Sequence, residues 1–482
     1  MKKMLKIKSG WVGMMGFGCL FLFLLALRLD VFQGKEASTA SDPLQASEKE
    51  IWMNIFQQDR KIGYLHRQLS AGQTGFLLTE SAAMKINAMG MTQDIHMETR
   101  GVLHPDLSIA SFTFNLRSSM FLFTVRGRVE GRTLSIWVNE NKSEIPMAQN
   151  LYLAAGIIDA AWVSGLVPHQ TKTFHVLDPA TLGRRPVRVT LMGEELLTVM
   201  GRRQRTRKVR VDFMGISQTA WIGPQGDILQ EEGVLGIGLK RTTRKDALDR
   251  RNMASSQDFT ALASVAARPP IAEGAQLSLL RLKISGIPPT LFLDGDRQTY
   301  AAGRMTIRKE ILADLPSASV PGQYKEFLAP DPFIQADHPE IQKRVWAIIA
   351  ADDPPATRAR KLTRWIYEHI EKRPVLSVPD AVTTLEKRVG DCNEHAVLLA
   401  AMARAAGIPA QIEAGLVHTG GRFFYHAWNV LYLGQWITVD ALMNQIPADV
   451  THIRLVRGGS QQQVDLLGVI GKLSLEILEQ SK

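Results

Sequence analysis

The chain has 482 residues, of which 45% are apolar and 22% charged. That balance is ordinary for globular domains, about three of them at roughly 150 residues each, and it excludes a wholly disordered, collagen-like or polytopic membrane chain. Lysine and arginine number 57 against 47 acidic residues, a formal charge of +10, which suits anionic surroundings without establishing a nucleic-acid partner. The two cysteines, Cys19 and Cys392, exclude a disulfide scaffold. Cys19 sits in an apolar stretch, so Cys392 is the candidate working thiol.

Lys2, Lys3, Lys6 and Lys8 precede an uncharged tract from Trp11 to Leu27. Its length is at the lower limit for a spanning helix, and flanking lysines stay cytoplasmic. The expectation is an uncleaved transmembrane anchor over residues 1–33, with the bulk of the chain on the periplasmic or extracytoplasmic side of the inner membrane as a single-pass protein. A cleaved signal peptide is the competing reading, but its small-x-small site, Ser38-Thr39-Ala40, lies well beyond the apolar end. Residues 34–49 are small and polar and read as a tether.

From 50 to 240 the pattern is that of strands. Gly75–Ile86, Phe112–Leu116, Phe121–Val129, Thr133–Val138, Val187–Leu191, Lys208–Phe213 and Gln218–Ile222 alternate or carry β-branched and aromatic residues. A helix is expected near Leu153–Val163. The reading is an antiparallel β-rich domain with no metal, phosphate-loop or hydrolytic spacing in it. The basic run Arg202–Lys208 reads either as a solvated strand face or as a contact for anionic lipid or an acidic envelope polymer. It lacks the interleaved aromatics of a nucleic-acid surface. Residues 241–329 read as a linker with a small β segment, and Pro316, Pro321, Pro330 and Pro332 mark the next boundary.

From 330 to 482 the period changes. Ile341, Val345, Ile348 and Ile349, then Leu362, Trp365, Ile366 and Ile370, are spaced as helix faces. Asp391 is a cap for a helix starting at Cys392, and Gly407-Ile408-Pro409 ends it. A cysteine in the first turn meets unpaired N–H groups and the positive end of the helix dipole, which favour its thiolate. A base is then needed. His426-Ala427-Trp428-Asn429-Val430-Leu431 and Gln435-Trp436-Ile437-Thr438-Val439-Asp440 flank Tyr432-Leu433-Gly434. With 432–434 as a three-residue loop, Leu431 pairs with Gln435 and His426 with Asp440 on one face of the hairpin. A carboxylate on one imidazole nitrogen leaves the other for sulfur. His395, one turn along the helix from Cys392, is the rival base. Glu394 reads as a cap or ion-pair partner, and His418 as loop. No metal and no cofactor are expected, because these residues form no closed ligand set.

Residues 335–460 resemble the transglutaminase-like superfamily of papain-type thiol enzymes. The resemblance is carried by Ala381 and Leu385 ahead of Gly390-Asp391-Cys392, Arg404-Ala405-Ala406-Gly407-Ile408-Pro409-Ala410, His426-Ala427-Trp428 and Trp436-Ile437-Thr438-Val439-Asp440. Family members often have proline after the aspartate, where Ala441 stands here. The stretch Asn444–Ile453 is similar to a bacterial branch with membrane-anchored members. The resemblance implies a Cys392–His426–Asp440 triad and an α+β fold with the cysteine helix packed on an antiparallel sheet.

The fold class expected is therefore multidomain: an N-terminal transmembrane helix, an antiparallel β-rich domain, then an α+β papain-like, transglutaminase-like domain. The function expected is cysteine acyl transfer on protein or peptide amides through a thioester, ending in hydrolysis or crosslinking. The alternative is a non-catalytic envelope binding or assembly protein that works through its β-rich domain, with the C-terminal domain as a peptide platform.

Overall fold

The computed structural model describes residues 48–482 apart from 89, 139–140, 214–215, 272, 289–290, 292 and 313–319. Fifteen strands from Lys49–Gln57 to Ile237–Thr242 form one sheet. Eight of them meander from Lys49–Gln57 outward to Asn141–Pro146. The other seven meander from Leu151–Leu153 back to Ile237–Thr242, and the halves join where Trp52 opposes Thr242 and Gln57 opposes Ile237. The strands carry inward side chains at every second position, as in Phe76–Ala88, where Leu78, Ala82, Met84, Ile86 and Ala88 are buried. Among the described residues the only parallel pair in this sheet, Leu151–Leu153 with Thr171–Asp178, is bridged by the helix Ile157–Val163.

That helix buries Ile157 and Ile158 against side chains of the sheet. Around it lies a cavity of about 60 Å³ lined by Ile55, Leu65, Met84, Met97, Arg67, Glu80, Gln218 and Glu231 among others. Arg67 is buried and pairs with Glu80 at 2.6 Å, and Gln218 donates to Glu231 at 2.8 Å. Burial pushes the Glu231 carboxyl up, and Arg67 pulls the other way. The basic run lies on the strand Arg202–Phe213. There Arg205 pairs with Glu194 at 3.3 Å, Lys208 with Glu195 at 3.0 Å, and Arg207 sits 4.8 Å over the Trp162 ring.

The second half of the chain has helices Pro339–Trp346, Pro355–His369, Ala381–Lys387 and Cys392–Ala405 packed on a small sheet. Its strand order is Val265–Ala266, Arg422–Tyr432, Ala410–Thr419 and Ile453–Arg457, and Trp436–Val439 pairs with Arg422–Tyr432. A further sheet joins Leu279–Ser285 to Arg304–Arg308 and to Ser474–Ser481. The β-rich part meets this half beside the cysteine helix. Phe121 packs with Val375 and Val389, Phe123 stacks 6.3 Å from Phe333, and Gln93 Nε2 donates to Pro374 O at 3.0 Å.

One expectation is corrected. The architecture anticipated from sequence includes a transmembrane helix, but among the described residues no helix is long and apolar enough to cross a membrane. Pro355–His369 is the longest of the named helices and carries Arg358, Arg360, Lys361 and Arg364. Cys392–Ala405 is apolar and buried, but its 14 residues rise only about 21 Å against a hydrocarbon core of about 30 Å. Residues 1–33 and Cys19 lie outside the described residues.

Candidate active site

The site begins with the local structure around the thiol. Glu371–Lys372 pairs in parallel with Val389–Gly390 and delivers the chain to Asp391. A side chain at 390 would place its Cβ 2.3 Å from Glu394 Cβ, so the close approach requires glycine. Asp391 Oδ1 then accepts from Asn393 N at 2.9 Å, and Glu394 Oε2 accepts from Asp391 N at 2.9 Å, a reciprocal cap that starts the helix at Cys392. Ser377 Oγ donates to Glu394 Oε1 at 2.5 Å. Glu394 is thus a cap, one of the two roles its position suggested. Burial pushes both acids up, and Glu394 adds to the effect at Asp391. Cys392 is fully buried.

The strand Arg422–Tyr432 runs along this helix, and Asn429 Nδ2 donates to Ala396 O at 2.8 Å. On that strand His426 is buried, and its Nε2 is 2.7 Å from Asp440 Oδ2. Nε2–H is therefore the donor, and Nδ1 carries the lone pair of the neutral ring. Nδ1 is buried without a hydrogen-bond partner. Asp440 Oδ1 accepts from Met443 N at 3.0 Å. Although burial works to raise the Asp440 carboxyl, His426 and His452 outweigh it and hold the group well below the usual carboxylate range.

The imidazole and the carboxylate meet, but in a different register from the one the loop count implies. Tyr432 pairs with Trp436 and Asn429 with Val439, so the loop is Leu433-Gly434-Gln435. The slip of two residues keeps every side chain on its face. His426 and Asp440 become diagonal neighbours, still within side-chain reach. Tyr432 packs tilted and Trp436 edge-on against Tyr324, with centroids 4.7 and 5.1 Å from its ring, and this aromatic packing accompanies the shifted register.

His395 donates from Nδ1 to Asp391 O at 2.6 Å, within its own helix. Burial pushes it down to about 4, so it is neutral near pH 7. It feels the charges of His426 and Asp440, which brings the start of the cysteine helix and the imidazole pair into one electrostatic neighbourhood. His418 lies on the strand Ala410–Thr419, edge-on to Phe423 at 5.2 Å, and not in a loop.

Sequence reasoning missed His452. Its Nε2 is 3.0 Å from the same Asp440 Oδ2, and its Nδ1 is 3.2 Å from Asp449 O and 3.3 Å from Asp449 Oδ1. Trp428 closes one face, 5.1 Å from the His452 ring and anchored by Nε1 to Glu413 Oε2 at 2.8 Å. The only sequence signal was Asp449-x-Thr451-His452, a side-chain-closed turn that occurs in many proteins. His426, Asp440 and His452 offer ligand atoms within 4.8 Å of one another. Their contacts of 2.7 and 3.0 Å are hydrogen-bond lengths. Ligand atoms held tetrahedrally at about 2.0 Å from a metal would be roughly 3.3 Å apart. Asp440 Oδ2 bonds to both imidazoles.

A first-turn cysteine on a buried helix, packed against the strand that carries an imidazole bonded to a carboxylate, is compatible with a cysteine-type enzyme on an α+β scaffold. Residues 342–441 match the model of the transglutaminase-like superfamily. The match spans Cys392, His426 and Asp440 and supports a cysteine-type enzyme at the level of the superfamily. No curated protein matches the chain. Among solved structures, a candidate cysteine protease from Cytophaga hutchinsonii is 18% identical. It covers 41% of this chain and 83% of its own, at a TM-score of 0.29. A β-barrel-like protein of a domain of unknown function from Brucella abortus is 10% identical. It covers 42% of this chain and 98% of its own, at a TM-score of 0.33. At such scores neither likeness bears on function.

Proposed function

We propose that the chain is a cysteine acyl-transfer enzyme acting on amide bonds of proteins or peptides, with Cys392 as nucleophile, His426 as base and acid, and Asp440 as the group that orients His426. The observation that carries the reading is the His426 Nε2–Asp440 Oδ2 bond of 2.7 Å, which leaves a buried, unpartnered Nδ1 on the imidazole. In this scheme Nδ1 takes the thiol proton. The sulfur bonds to the substrate carbonyl carbon, and the C–N bond breaks as the imidazolium returns the proton to the departing nitrogen. Water or an amine, deprotonated by the same nitrogen, then displaces the thiol from the thioester. The N-terminus of the Cys392–Ala405 helix offers backbone dipole to the oxyanion.

The test is mass spectrometry of glutamine-containing peptides incubated with the chain, with and without a primary amine. Loss of ammonia, gain of water or addition of the amine supports the reading when Cys392→Ala abolishes it. Equal products from wild type and Cys392→Ala would overturn it.

A further inference from the structure

Both ring nitrogens of His452 face oxygen acceptors: Asp440 Oδ2 at Nε2, and Asp449 O and Oδ1 at Nδ1. An imidazole can satisfy acceptors on both sides only when both nitrogens carry hydrogen, that is, as the cation. His452 is also fully enclosed, with its side chain at 0% exposure. It is therefore a buried imidazolium between two carboxylates, and one of those is the carboxylate that orients His426. The rings of His426 and His452 are 5.8 Å apart.

We propose that His452 is a fourth, positioning member of the site: an imidazolium that shares Asp440 Oδ2 with His426 and so sets how strongly His426 holds its own proton. The inference builds on the proposed triad. Two effects act in one direction. The cation repels a second positive charge on His426, and its hydrogen bond draws on the oxygen that would otherwise stabilise that charge. Both weaken the grip of His426 on a proton and make it a readier acid toward a departing amine. The other charged groups around His452 are accounted for. Arg297 Nη2 donates to His452 O at 3.1 Å and is itself paired with Glu310 at 2.9 Å. Glu413, behind Trp428, is taken up by Arg454 and Arg457.

The experiment is the pH profile of Cys392 alkylation by iodoacetate, an anionic reagent that reacts best with a thiolate beside an imidazolium. Wild type should give a bell. His452→Gln keeps a donor for Asp440 but removes the charge. Removing a unit charge 5.8 Å from the His426 ring should move the alkaline limb of the bell up by about one pH unit. A merely structural role would lower the rate without moving the limbs, and superimposable limbs would overturn the proposal. If His452→Gln does not fold, ¹⁵N NMR of the His452 ring in the wild-type chain decides. A doubly protonated ring through pH 8 is expected, and a neutral ring at pH 7 would overturn the inference. His426→Ala separates the two readings. If the wild-type bell survives that change, the triad itself fails. If the bell is lost there yet unmoved in His452→Gln, only the role of His452 fails.

Discussion

Asp440→Asn puts the site under the sharpest test because both oxygens of the carboxylate accept from donors. Oδ2 takes hydrogen bonds from His426 and His452, and Oδ1 takes one from Met443 N. An asparagine can present its oxygen to the imidazoles or to Met443, but not to both. In either orientation an NH₂ group meets another donor. If it meets the imidazoles, His426 must surrender its Nε2 proton and carry it on Nδ1, the nitrogen required as base. Serine triads lose about 10⁴-fold when the carboxylate is replaced by its amide. A cysteine is partly ionised without help, so a loss of about 10²–10³ in kcat/KM is expected, some 3–4 kcal/mol of transition-state stabilisation. Breaking the buried pair with His452 should also cost about 3–5 kcal/mol of folding free energy. The assay is kcat/KM on a reactive peptide, with urea denaturation alongside. A variant within threefold of wild type in rate and unchanged in stability would refute the proposed role of Asp440.

Three further outcomes follow from the same geometry. His426→Ala should abolish turnover, whereas His395→Ala, which removes a neutral ring bonded to Asp391 O, should keep at least a tenth of it; the reverse ranking in the peptide assay would make His395 the base. His452 is pushed up to about 9 by Asp440 and Asp449 against the pull of burial, from an ordinary value of 6.5. Its contribution to stability is therefore complete below about pH 6.5 and lost as pH rises through about 9, worth up to roughly 3 kcal/mol. Asp440 and Asp449 are held below the carboxylate range, so the same ion pairs persist above about pH 4 and weaken as pH falls through the lower folded values. Denaturation midpoints at pH 6 and 9.5 check the alkaline arm, which should flatten in His452→Gln. In the β-rich part, Arg67→Met removes the cation paired with the buried Glu80 and should cost about 3–5 kcal/mol, most of it recovered in the double variant with Glu80→Leu; an unchanged urea midpoint in the single variant would contradict the buried pairing.

What the sequence disclosed was local. The cap at Asp391, the helix stop at Gly407 with φ of +79° and the shared face of His426 and Asp440 all follow from residues no more than 14 apart. The hairpin register did not, because it goes with the packing of Tyr324 on Tyr432 and Trp436, a contact across more than a hundred residues. The conclusion survived since a slip of two conserves the face, where a slip of one would have separated the pair. His452 was illegible for a related reason. It lies beyond the hairpin, carried to Asp440 by a turn in which Asp440 and Gln445 exchange backbone hydrogen bonds, and no periodicity marks such a turn. In the β-rich part, alternation identified strands, but not that fifteen of them share one sheet or that Lys49–Gln57 meets Ile237–Thr242.

The strand Ser474–Ser481 completes the sheet begun by Leu279–Ser285, across separations of up to 203 residues. During synthesis at about 5–20 residues per second, some 10–40 s pass before the partner emerges. Through that interval Leu279–Ser285 is covered on one edge by Arg304–Arg308 and bare on the other. Leu280, Leu282 and Ile284, buried in the finished protein, wait beside a row of open amides and carbonyls. Such an edge recruits strands from neighbouring nascent chains. Ribosome pausing between these segments should therefore govern the yield of soluble protein more than the stability of the finished fold does.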